Sequence, residues 1–179
     1  MRKDDYCEEQ ITYRRARAND VAGICDIYNG HIDMGGSTFA TDYWEEADLF
    51  DEIVDHPKNI WFIAENDSQI IGWSTARLYS MRHGYRLTRE LAVYLKSQHT
   101  GKGYAYELVR QTEETCIERG IHHLVSRVIA ENQQSLQFHY RCGYELVGVQ
   151  KEIGNLDDRW LDVAILQKLL TETVSDTVS

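Results

Sequence analysis

The chain has 179 residues, 42% of them apolar, and a formal net charge of −10; that is enough for one substantial core and too little for a second, so residues 1–179 are expected to form a single domain. The acidic balance disfavours nucleic acid and anionic membrane, which need a broad positive field, and no apolar run exceeds the five residues of Ile60 to Ala64, far short of a membrane span. The opening Met1-Arg2-Lys3-Asp4-Asp5-Tyr6 has no apolar run behind its charges and does not read as a secretory signal, and the widely spaced Cys7, Cys25, Cys116 and Cys142 fit reduced thiols and a cytoplasmic location.

In chain order, Ile11 to Ala16 is β-compatible and ends at Asn19-Asp20, residues suited to capping the next helix. There Val21, Ile24, Cys25 and Tyr28 recur with the period of one buried helical face. A second helix is predicted from Tyr43 to Asp55, stopped by His56-Pro57. Ile60 to Glu65 and Ile70 to Leu78 read as strands joined by a hairpin turn at Asn66-Asp67-Ser68-Gln69. Thr88 to Leu95 is a further strand leading into a glycine turn. Beyond that turn, Ala105, Leu108, Val109, Thr112 and Cys116 share a helical face, ended by Gly120. His122 to Ile129 reads as a strand, Gln133 to Arg141 as a short helix ended by Gly143, and Tyr144 to Glu152 and Arg159 to Leu166 as the last strands. The polar tail from Thr171 to Ser179 is expected to fray. The order β α α β β β α β α β β predicts an α/β (α+β) domain, a mixed sheet with helices on both faces rather than repeated βαβ units.

Between Arg77 and Arg127 stand nine Lys/Arg and five Glu, a local +4 in a chain whose remainder carries −14. This positive segment contains Gln98-His99-Thr100-Gly101-Lys102-Gly103-Tyr104 between a strand and an amphipathic helix. Glycines let the backbone approach a ligand and turn its N–H groups inward, and the helix N-terminus adds positive dipole, so the turn is suited to a pyrophosphate. An isolated GxG more often only permits a tight turn. Other nucleotide sites fail on detail: a P-loop needs Ser or Thr where Gly103 stands, and a dinucleotide fingerprint needs a small residue at Tyr106. No GxSxG elbow occurs, and the adjacent His122 and His123 face opposite sides of a strand, so no shared metal is expected.

The pattern Val93-Tyr94-Leu95-x-x-Gln98-x-x-Gly101-x-Gly103-x-Ala105 resembles the acetyl-CoA signature of the GNAT N-acetyltransferases. Glu131-Asn132-x-x-Ser135-x-x-Phe138-His139-x-x-x-Gly143-Tyr144 and Arg159-Trp160-Leu161-Asp162-Val163 resemble the phosphinothricin acetyltransferase-like branch, as do Ser37-Thr38-Phe39 and Tyr85-Arg86-x-Thr88-x-Glu90. The resemblance covers most of residues 11 to 168. It implies the GNAT fold, with a mostly antiparallel twisted sheet, acetyl-CoA as cosubstrate with its pyrophosphate on residues 98 to 104, and its pantetheine arm along Val93, Tyr94 and Leu95 and near Asn132 and Ser135. Asn132 also reads as a plain helix N-cap.

The resemblance further implies direct attack of a primary amine on the thioester, with Glu90 taking the ammonium proton. His139 stands where a thiolate proton donor is expected, and a backbone N–H near Tyr94 or Leu95 would polarise the carbonyl. The implied substrate is a small amino acid or analogue, such as phosphinothricin, methionine sulfoximine or methionine sulfone. Thr38 and Phe39 would lie on its side of the site, and Arg82, Tyr85, Arg86 and Thr88 would hold its anionic group. A homodimer is implied as well. The chain departs from the branch at Gly154-Asn155-Leu156-Asp157-Asp158, where relatives commonly show a lysine and a glycine before Arg-Trp. Other readings are acetylation of a polyamine, aminoglycoside or protein amine, which the acidic balance suits, and a non-catalytic acyl-CoA-binding module.

Overall fold

The computed structural model describes residues 10–56 and 58–170. Cys7, Pro57 and the tail expected to fray lie outside the described residues. The elements are β1 (Ile11–Arg15), α1 (Val21–Met34), α2 (Glu46–Phe50), β2 (Ile60–Asn66), β3 (Gln69–Leu78), β4 (Thr88–Leu95), α3 (Tyr104–Glu118), β5 (His123–Ile129), α4 (Gln133–Arg141), β6 (Glu145–Leu156) and β7 (Arg159–Leu169). Their order matches the sequence expectation. The strands form one sheet ordered β1-β2-β3-β4-β5-β7-β6, and every neighbouring pair is antiparallel except β4 with β5.

Strand alternation sorts the side chains into two cores. Ile60, Phe62 and Ala64 of β2, Leu91 and Leu95 of β4, and Leu124 and Val128 of β5 pack with Leu108, Val109 and Cys116 of α3 and Leu136 of α4. On the other face Trp61 and Ile63 of β2 and Trp73 of β3 meet Val21, Ile24 and Tyr28 of α1 and Leu49 of α2. The β2–β3 hairpin turns through Asp67 and Ser68, both at positive φ (47° and 66°), and the β6–β7 hairpin through Asp157 and Asp158 (51° and 60°). Two consecutive left-handed residues match the strand twist, and short polar side chains tolerate them.

Two local expectations are corrected. The Asp20 side chain does not cap α1; its carboxylate accepts from the Arg17 N–H at 2.7 Å and from the Arg14 guanidinium at 2.7 and 2.9 Å. The second helix does not begin at Tyr43. It spans only Glu46–Phe50 and continues as one wider turn over Asp51–Asp55. Trp44 is kept out of the helix by tertiary bonds: its N–H donates to Asn29 Oδ1 at 2.8 Å, its carbonyl accepts from Asn29 Nδ2 at 3.1 Å, and its ring stacks on Tyr28 with centroids 3.8 Å apart.

Candidate active site

The one parallel pairing creates the site. β4 and β5 pair only over Thr88–Glu90 and His123–Val125. Beyond that point β4 stays with β3 as far as Leu95, and β5 stays with β7 as far as Ile129, so the two strands diverge into a wedge. Ser126 Oγ donates to Leu91 O across its narrow end at 3.2 Å, whereas Lys96 N donates to Ile71 O on the opposite side of β4 at 2.9 Å. Odd residues of β4 therefore turn their backbone groups into the wedge and even residues turn theirs to β3. The N–H groups of Val93 and Leu95 face the wedge. The Tyr94 N–H, one of the two expected carbonyl-polarising donors, faces β3 instead. Leu95 O accepts from His31 Nε2 at 2.8 Å, which leaves His31 Nδ1 to accept from Ser37 Oγ at 3.0 Å. Sequence patterning gave no sign of this role for His31.

At the wide end β4 runs into the glycine turn. Gly101 and Gly103 adopt φ of 77° and 87°, and Gly103 is the N-cap of α3. A Cβ built on either would meet no atom within 4 Å, so among the described residues nothing crowds the turn at these two positions. The first helical N–H groups with an acceptor inside α3 are those of Tyr106 and Glu107, both donating to Gly103 O. The Gly103 and Ala105 N–H groups precede the first intrahelical acceptor pairing, an arrangement suited to an anion at the helix start. Thr100, Gly101 and Gly103 line the adjoining cavity, while Gln98, His99, Lys102 and Tyr104 stand outside its wall. The Thr100 hydroxyl donates to Ser97 O at 2.9 Å.

The cavity, about 1120 Å³, runs from this turn through the wedge to Glu90 on the α1–α2 face. Val93, Tyr94, Leu95, Asn132, Ser135 and His139 line it. Asn132 is an N-cap: its Oδ1 accepts from the Ser135 N–H at 3.0 Å and its Nδ2 donates to Gly36 O at 3.2 Å. One amide hydrogen and one oxygen lone pair remain for a ligand.

His139 is buried, and Ser135 O accepts from its Nδ1–H at 2.8 Å, which fixes the tautomer. Nε2 is left as a bare acceptor, buried without a protein partner. Burial lowers the imidazole pKa from the ordinary 6.5, against a smaller opposing effect of the Ser135 carbonyl. With Nδ1–H engaged by Ser135 O, Nε2 presents its lone pair to the cavity and can accept a hydrogen bond there. Tyr140, beside it in sequence, points to solvent.

On the substrate side Tyr28, Trp44 and Trp73 form an aromatic wall, with Trp44 and Trp73 centroids 5.8 Å apart and Tyr94 4.8 Å from Trp73. Thr38 is buried, sharing a 2.7 Å hydrogen bond with the Tyr28 hydroxyl, and its Oγ1 accepts from the Ala40 N–H. Phe39 lies against Gly154: a Cβ there would sit 2.7 Å from Phe39 Cζ. Glu90 is clamped by Arg127, whose Nε and Nη2 donate to its two oxygens at 2.7 Å each. Arg77 stands opposite Glu90 on β3 and reaches Glu52 at 3.8 Å. Arg82, Tyr85 and Arg86, expected to bind the anion, are exposed outside the wall, with Tyr85 against Tyr79, and Thr88 lies outside it too. Arg82, Tyr85 and Arg86 belong to the connection between β3 and β4, and Thr88 is the first residue of β4. The cations that line the cavity beside Glu90 are Arg77 and Arg127.

Residues 24–144 match the Acetyltransferase (GNAT) family over more than half of the chain. The chain belongs to the GNAT acetyltransferase family. It is 28% identical over 170 residues to an L-methionine sulfoximine/L-methionine sulfone acetyltransferase of Pseudomonas aeruginosa, covering 90% of this chain and 96% of the relative. It is 29% identical over 163 residues to the phosphinothricin N-acetyltransferase of Alcaligenes faecalis, covering 89% and 82%. The crystal structure of a phosphinothricin acetyltransferase from Sinorhizobium meliloti in complex with AcCoA superimposes with a TM-score of 0.84 at 26% identity, covering 94% of this chain and 93% of that one. This GNAT chain is an acetyltransferase. Among the described residues no group of three His, Cys, Asp or Glu could hold a metal, and no helix is long and apolar enough to cross a membrane.

Proposed function

We propose that this GNAT chain transfers acetyl to the primary amine of a small amino-acid-like substrate of the methionine sulfone, methionine sulfoximine or phosphinothricin type. The observation that carries this reading is one cavity holding three parts: the open glycine turn, the wedge-facing amides of Val93 and Leu95, and Glu90 flanked by Arg77 and Arg127. The names of the similar relatives support it. The aromatic wall of Tyr28, Trp44 and Trp73 suits the methylene and methyl groups of such a side chain.

Acetyl-CoA supplies the activated acetyl group as a thioester. The amides of Gly103 and Ala105 would hold its pyrophosphate, and Val93 or Leu95 N–H would stabilise negative charge growing on the carbonyl oxygen. Glu90 takes a proton from the substrate ammonium, so that the neutral amine forms the new N–C bond as the C–S bond breaks. The second amine proton goes to the departing thiolate, and Glu90 returns its own to water. His139 Nε2, a buried acceptor, orients a donor group in the cavity rather than protonating the thiolate.

The reading extends to assembly and location. β6 is an edge strand whose pairing with β7 is broken between Leu146 and Gly148 and between Gln150 and Gly154. Leu146, Val147, Val149, Ile153 and Trp160 are exposed along this edge, and a second copy of the chain would cover them. Cys25, Cys116 and Cys142 are buried and unpaired, in keeping with the cytoplasm.

The test is purified protein with acetyl-CoA and a panel of methionine sulfone, methionine sulfoximine, phosphinothricin and spermidine, following free thiol. The highest kcat/KM is expected for one of the three amino acids. Preference for spermidine would remove the amino-acid reading, and thiol release with none of the amines would remove small-molecule acetylation as a whole.

A further inference from the structure

Glu90 is the proposed base, yet both of its oxygens are engaged by one guanidinium at 2.7 Å. A carboxylate held in a bidentate fork has its best acceptor directions occupied, and an incoming ammonium must share or displace that fork. The pair stands in the cavity wall, not in the core. The Arg127 side chain is 58% exposed against 22% for Glu90, so the arginine is the mobile member. It is also the member at the rim, where an anion arrives first.

The exchange balances only for a particular class of ligand. A simple amine binding Glu90 would leave Arg127 without its counter-charge at a half-covered rim. A zwitterion carrying carboxylate and ammonium on one carbon replaces both halves of the pair at once, ammonium on Glu90 and carboxylate on Arg127, with no net change of charge. Arg77 is less suited to that task, since Glu52 lies 3.8 Å from it and it makes no hydrogen bond to Glu90.

From this geometry, and resting on the amino-acid N-acetyltransferase reading above, we infer that Arg127 is a specificity-determining residue. It latches Glu90 in the free enzyme and receives the substrate's α-carboxylate, so that only a free α-amino acid both opens the latch and presents its amine to the base.

The test compares methionine sulfone with its carboxamide and with the matching amine lacking the carboxyl group, in the wild type, R127Q, R127K and R77Q, with CoA binding measured for each protein as the check on folding. The wild type is expected to favour the free acid by about tenfold to a hundredfold in kcat/KM, the value of one desolvated charge-assisted contact. R127Q should bring that ratio close to one, chiefly by raising KM for the acid, and R127K should restore part of it. A merely structural arginine would lower the rates for all three compounds together and leave the ratio intact. An unchanged ratio in R127Q, or a ratio lost in R77Q and kept in R127Q, overturns the assignment. If the wild type acetylates amines without preferring the acid, Arg127 is not a carboxylate receptor even though the enzyme is an N-acetyltransferase. If no amine is acetylated, the underlying functional reading fails first.

Discussion

Replacing Gly103 by valine separates the fold from the cofactor site. Gly103 holds φ 87° and ψ −7° as the N-cap of α3, a left-handed conformation that costs an L residue roughly 1–2 kcal/mol, with valine at the upper end. Because a Cβ at this position meets nothing within 4 Å, no clash inside the chain adds to that strain. Against a stability of about 5–15 kcal/mol the variant should fold, with its melting temperature lowered by roughly 2–8 °C for a chain of this size. The valine methyls would occupy the space over the turn, where the proposed pyrophosphate would approach the amides of Gly103 and Ala105. Losing one charge-assisted contact weakens CoA about tenfold to a hundredfold. Thermal melting and calorimetric titration with CoA measure the two effects separately. A folded variant that binds CoA with wild-type affinity would refute the placement of the pyrophosphate on this turn.

Three further perturbations address the rest of the cavity. Glu90→Gln should keep CoA binding and lower kcat at pH 7 by roughly 10²- to 10⁴-fold, with partial recovery at higher pH where free amine is abundant; an undiminished rate at pH 7 would reduce Glu90 to the structural partner of Arg127. His139 has a pKa held below 6.5 by burial, so as pH falls through that value the unfolded chain binds a proton that the folded chain refuses. Its contribution to stability is present above about pH 6.5 and is lost as the pH drops towards the folded value. Urea denaturation of wild type and His139→Gln between pH 5 and 8 should show a shallower slope for the variant, and parallel curves would contradict the buried neutral imidazole. Gly154→Ala would place a methyl 2.7 Å from Phe39 Cζ, forcing the ring to move; KM for the amine should rise while the CoA dissociation constant stays within about twofold, on the scale where tenfold is 1.4 kcal/mol.

The strand, glycine turn and helix of the proposed cofactor site were legible because each rests on a local rule: β-branched patterning in β4, glycine freedom at Gly101 and Gly103, and a 3.6 period in α3. The β4–β5 wedge follows from strand register, which patterning along one strand does not contain. For the same reason Arg77 and Arg127 escaped notice as neighbours of Glu90. They lie 13 residues before and 37 after it in the chain and meet it only across strands, Arg77 in register on β3 and Arg127 by its side chain from β5. Arg82 and Arg86 attracted the anion-binding role through proximity in sequence to Glu90, and both stand exposed outside the cavity wall. Trp44 was read as helix because its neighbourhood has helical composition. Its bonds to Asn29 and its stacking on Tyr28 override that preference and place it in the substrate wall.

Single turnover with enzyme preloaded with radiolabelled acetyl-CoA, then mixed with methionine sulfone, tests the central claim most directly. The account predicts that label passes to the amino nitrogen of the amino acid in one phase, at the rate of thiol release, with no labelled protein at any time. Label accumulating on the protein first, or thiol release without an acetylated amino acid, would contradict direct transfer from the cofactor to an amine held at Glu90.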